Sequence, residues 1–166
     1  MDHDALDTYL NDHLAGSTLG VDHARQLQEM TADAPFGVVM ARLADEIEED
    51  RDTLVDLMER LGTTRNPIKV AGAWVVEKAG RVKFSGLSSA DADLGLYLAL
   101  ETLSLGVEGK HSLWTALARV QNDHPELEKT DLDRLISRAT AQRQILEAER
   151  FAQAERAFAL RAAAPS

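Results

Sequence analysis

The chain contains no cysteine, which removes disulfides, thiolate metal ligands and thiol nucleophiles from the chemistry available to it. Aromatic residues make up only 5% of it, and no basic stripe interleaved with aromatics is present to stack on bases. There is no glycine-rich phosphate loop and no serine nucleophile elbow, so nucleotide hydrolysis and acyl transfer have no support. No apolar run approaches the length of a membrane span. The first residues, Met1-Asp2-His3-Asp4, are acidic where a secretory signal begins positive, and a cytoplasmic protein is expected.

What is abundant is acid. Aspartate and glutamate number 28 against 18 lysines and arginines, a net charge of −10 over 166 residues. That balance repels a phosphate backbone, so nucleic acid is excluded as a partner and cations are favoured. The length suits one domain, residues 1–166, with a substantial core.

The four prolines stand at positions 35, 67, 125 and 165, and the internal three fall where the apolar periodicity breaks. Helices are expected over about 4–31, 35–61, 90–120 and 131–160. A further helix over about 67–84 is announced by Asn66-Pro67, a cap followed by a favourable first residue. Strand signals are nearly absent, and the fold class is all-α. The 27 residues from Gly62 to Ser88 are too many to join antiparallel neighbours, so they imply a crossover that sets the second and third long helices parallel. That is the up-down-down-up bundle. The crossover carries a net charge of +4 against −14 for the remainder. Its Lys69, Trp74, Lys78, Arg81 and Lys83 read either as an ordinary solvated helix or as an interface, the latter implying a homo-oligomer, a dimer in the first instance.

Polar residues interrupt the apolar stripes. The first helix has His13 amid Leu6, Leu10, Ser17, Gly20, Ala24 and Leu27. The second has Asp50 in the stripe Leu43, Ile47, Leu54, Leu57, with Glu46 on its flank, whereas Asp45, Glu48 and Asp52 project to solvent. An unpaired buried carboxylate costs several kcal/mol, so Asp50 requires a partner. In the third helix Glu101 and Glu108 share a face two turns apart, and His111 follows Glu108 at i+3. The fourth has Gln142 and Glu149 in its seam. Counted from the helix ends, these groups fall within about 12 Å of bundle length. Tyr9 and Tyr97 lie within a turn of that zone, while His3, His23 and His124 are expected on the surface or in loops. Gly16 and Gly20 are expected to let helices approach closely.

With Asn11-Asp12-His13-Leu14-Ala15-Gly16, Glu48-Glu49-Asp50-Arg51 and the run Glu101 to Lys110, the chain resembles the ferritin-like superfamily over essentially its whole length, and within it a group of uncharacterised bacterial bundles. The resemblance implies a four-helix bundle and, in the di-iron members, two Glu-x-x-His elements with two further carboxylates. This chain has one such element, Glu108 to His111.

Two readings follow. In the first, His13, Glu46, Asp50, Glu101, Glu108, His111 and Gln142 hold one or two first-row ions, iron or manganese, for redox or oxygen chemistry. In the second, Asp50, Glu101 and Glu108 pair with Lys110, Arg143 or Arg150, and the protein is a non-enzymatic interaction or scaffold bundle with a buried ionic network.

Overall fold

The computed structural model describes residues 3–64 and 89–159. The helix expected over 67–84, with Lys69, Trp74, Lys78, Arg81 and Lys83, lies outside the described residues. Among those described there are four long helices: α1 (His3–Met30), α2 (Gly37–Arg60), α3 (Ser89–Val120) and α4 (Leu132–Phe158). Short 3-10 turns at Gln121–Asp123 and Pro125–Lys129 join α3 to α4, and no strand occurs among the described residues. The all-α expectation holds.

The helix ends follow from local chemistry. Pro35 does not open α2; it sits in the preceding turn, where the Ala34 N–H donates to the Thr31 carbonyl at 2.9 Å and the Gly37 N–H to that of Ala34 at 2.9 Å. The turn doubles back so tightly that a Cβ at position 37 would run into the Thr31 carbonyl oxygen. Glycine satisfies that close approach. At the other end Gly62 takes φ of +70°, and the Thr63 N–H reaches back to the Met58 carbonyl at 3.0 Å, the glycine-dependent stop that satisfies otherwise orphaned carbonyls. Asp131 caps α4 by accepting from the Arg134 N–H at 3.0 Å.

The helices pack α1 on α2, α3 on α4, and α1 on α3. Arg25 of α1 pairs with Asp45 and Glu48 of α2, so those two carboxylates, expected to face only solvent, clamp two helices together. Asn11 donates to the Thr64 carbonyl at 3.1 Å. His23 binds the Ala99 carbonyl at 2.8 Å, which ties α1 to α3 and corrects the expectation that this histidine lies on the surface or in a loop. Ser104 donates to Glu147 at 2.6 Å, and Gln153 to the Asp93 carbonyl at 2.9 Å, joining α3 to α4.

The apolar core is in two parts. One cluster gathers Val21, Ala24, Leu27, Met40, Leu43, Ile47, Leu100, Leu103, Val107 and Leu146. The other gathers Leu10, Leu54, Leu57, Met58, Leu113, Trp114, Leu117 and Leu135. Burying one such aliphatic side chain is worth about 1.5–3 kcal/mol, so both parts contribute heavily to stability. Between Ile47 and Leu54 on α2 stands Asp50, and between Val107 and Leu113 on α3 stands Lys110. A charged layer therefore separates the two apolar halves.

Candidate functional site

Asp50 is 1% exposed, as its place in the stripe predicts. Lys110 Nζ donates to its Oδ2 at 2.5 Å, and the Arg138 guanidinium donates to its Oδ1. Each carboxylate oxygen thus meets a cation. Lys110 also donates to Gln142 Oε1 at 2.5 Å, and the amide of Gln142 passes the chain on by donating to Glu46 Oε2 at 3.0 Å. Arg138 spans outward to Glu49 at 2.9 Å. Two largely buried cations thus meet one buried carboxylate, Asp50, with Glu46 and Glu49 nearer the surface. Burial pushes the Lys110 ammonium below the ordinary lysine range; Asp50 opposes that shift, and the neighbouring Arg138 charge adds to it.

The other expected ligands are distributed elsewhere. Glu108 is 47% exposed and pairs with Arg143 at 3.1 Å. Glu101 accepts from the Tyr97 hydroxyl at 3.2 Å and faces Arg150 at 3.8 Å. Both lie on the side of α3 that carries the exposed Leu94, Leu98 and Leu105, because the core-facing stripe is Leu100, Leu103, Val107, Lys110, Leu113 and Leu117. Gly106 and Gly109 do not interrupt α3. Glu149 turns to Arg156 at 3.1 Å. Glu147, held by Arg150 and Ser104, has its pKa lowered to about 2. His13 packs edge-on against Tyr9, ring centres 4.5 Å apart, and burial lowers its pKa below the ordinary histidine value. His111 is half-buried on α3, and its carbonyl accepts from Thr115.

Among the described residues no group of three or more histidines and carboxylates is arranged to hold a metal ion. The donors brought together around Asp50 are one carboxylate, one amide and two cations, a set that does not fit an iron or manganese shell. Asp50, Gln142 and Glu46 are assembled as the sequence suggests; His13, Glu101, Glu108 and His111 do not join them.

Beside the layer, α1 and α3 leave a cavity of about 380 Å³. Gly16, Gly20, Gly106 and Gly109 border it, with Leu54, Leu103, Leu113 and Trp114 behind. A Cβ added at any of these four glycines would meet none of the described residues within 4 Å. The expectation that Gly16 and Gly20 serve close packing is thus reversed: they hold space open. Asp50 and Lys110 form part of the cavity wall.

Arg138 is the member that sequence reading missed. Its signal was available, since it precedes the seam residue Gln142 by one helical turn and shares its face. No protein-family model, curated protein or solved structure matches the chain. Among the described residues no helix is long and apolar enough to cross a membrane.

Proposed function

We propose that this protein is a non-enzymatic helical module, an up-down-down-up bundle of the ferritin-like kind, in which the Asp50, Lys110, Arg138 and Gln142 layer fixes helix register in place of a metal centre. The observation that carries the reading is that both oxygens of the buried Asp50 are taken by protein cations. Such a layer is a weak source of stability but a strong source of specificity, because a slip of any helix strands a buried charge. The pairings Arg25 to Asp45, His23 to Ala99, Gln153 to Asp93 and Asp50 to Arg138 support the topology. They bring α1 to α2, α1 to α3, α3 to α4 and α2 to α4, contacts consistent with parallel α2 and α3.

A cytoplasmic, dimeric form belongs to the same proposal, and the exposed row Leu94, Leu98, Leu105 on α3 supplies apolar surface for an interface. Sedimentation of the purified chain and of Leu98→Glu checks it: a dimer that the substitution dissociates is expected, and a monomer in both removes the assembly part.

The competing reading is a carboxylate centre for iron or manganese on the same residues. One experiment separates the two. Protein purified without chelator or affinity-tag metal is assayed for metal per chain, then heated with and without added iron(II) or manganese(II). The ionic-layer reading predicts less than about a tenth of an equivalent of metal and an unchanged Tm. Stoichiometric metal that raises Tm and is lost in Asp50→Asn overturns it.

A further inference from the structure

The cleft between α1 and α3 is not needed to neutralise Asp50, yet the chain weakens two helices to keep it. Glycine is the least favourable helix-interior residue after proline, and four occur here where a methyl group would touch none of the described residues. Packing does not require them. Their common consequence is the cavity of about 380 Å³, within the range of small-molecule sites, which are mostly apolar with a few placed polar groups.

The polar groups limit what fits. Lys110 borders the cavity and is 12% exposed. Two of its three ammonium hydrogens go to Asp50 and Gln142, and the third has no acceptor among the described residues. Arg138 also pairs with Asp50, and its guanidinium spans outward to Glu49, so Lys110, with one hydrogen unspent, is the layer's donor at the cavity. Asp12 and Asp22 border the same cavity from α1 and disfavour a second anionic group on the ligand. The lower wall, from Leu54 to Leu113 and Trp114, is aliphatic and aromatic.

We propose that this cleft binds one small amphiphile, an apolar chain or ring system ending in a single carboxylate, with the carboxylate at Lys110 and the apolar body along the glycine-lined wall. The charge-assisted bond to the spare ammonium hydrogen supplies orientation, and the apolar surface removed from water supplies most of the affinity. The cleft shares only Leu105 with the exposed row proposed above as an assembly face, and Leu98→Glu separates the two.

Calorimetric titration of the full chain tests it, with decanoate, decan-1-ol and decyltrimethylammonium as probes below their micelle-forming concentrations. Decanoate is expected to bind saturably at one per chain, the alcohol about tenfold more weakly, and the cation not measurably. Gly106→Leu and Gly16→Leu fill the cleft from opposite walls and are expected to weaken decanoate at least about tenfold while leaving Tm unchanged or raised. Lys110→Met is expected to bring acid and alcohol to equal affinity. Absence of saturable decanoate binding, as when the chain itself fills the cleft, overturns the proposal. So does binding at several per chain, equal binding of the cation, or undiminished affinity in both glycine variants with Tm retained.

Discussion

The two flanks of α3 solve opposite problems. Toward α4 and α2 every buried charge is met: Asp50 by Lys110 and Arg138, Lys110 again by Gln142, and Gln142 by Glu46. Toward α1, only a turn away, the helix presents Gly106 and Gly109 to a space that none of the described residues fills. One flank is closed by polar bonds whose loss is expensive, and the other is open although side chains in place of its glycines would narrow it. The difference shows that the polar interior is an ion-paired layer on one side and the wall of a cleft on the other.

Breaking the closed flank gives the largest expected effect. Asp50→Asn leaves Lys110 and Arg138 buried without their counter-ion, and the unfolding free energy is expected to fall by about 3–5 kcal/mol in denaturant titration. A loss below about 1 kcal/mol would mean that the layer is hydrated rather than buried. On the open flank the sign reverses. Gly16→Ala and Gly109→Ala add a methyl group to free space and improve helix propensity, and each is expected to stabilise by about 1 kcal/mol. Destabilisation there would show the cleft to be narrower than described.

Acidification probes the α1 side further. Burial lowers the pKa of His13 and of His23 below 6.5, the His23 bond to Ala99 only partly opposing it. The unfolded chain therefore binds these protons first, and stability should decline as pH falls from about 6.5 toward each lowered folded value. His23→Gln should flatten that decline, and an unchanged pH profile would remove His23 from it. The smallest effect is expected at Glu108, whose pair with Arg143 is half exposed. Glu108→Gln should cost less than about 1 kcal/mol, and a loss comparable with that of Asp50→Asn would return Glu108 to the buried layer.

Much of the fold was legible because its signals are periodic. The expected helices match α1, α2, α3 and α4 within two residues at each end, and the seam Leu132, Leu135, Ala139, Gln142, Leu146, Glu149, Gln153 is buried except at Glu149. Asp50 stood out because one carboxylate in an apolar stripe has only a few physical solutions. The inward assignment of Glu101 and Glu108 failed because α3 is apolar nearly all round, so periodicity alone does not say which stripe faces the core. Lys110 was visible as a counter-ion, whereas Arg138 was overlooked although it stands one helical turn before Gln142 on the same face. The cleft was invisible, since a glycine in sequence marks equally a close helix contact and an empty space.

Asp50, Lys110 and Arg138 form a buried ionic layer in which each charge depends on the others. The most direct test compares unfolding free energies of Asp50→Leu alone and of Asp50→Leu combined with Lys110→Met and Arg138→Leu. Removing the anion by itself should be severely destabilising. Removing the two cations with it should recover most of the loss, because no buried charge is then left unpaired. A combined variant that is less stable than the single one would contradict the account.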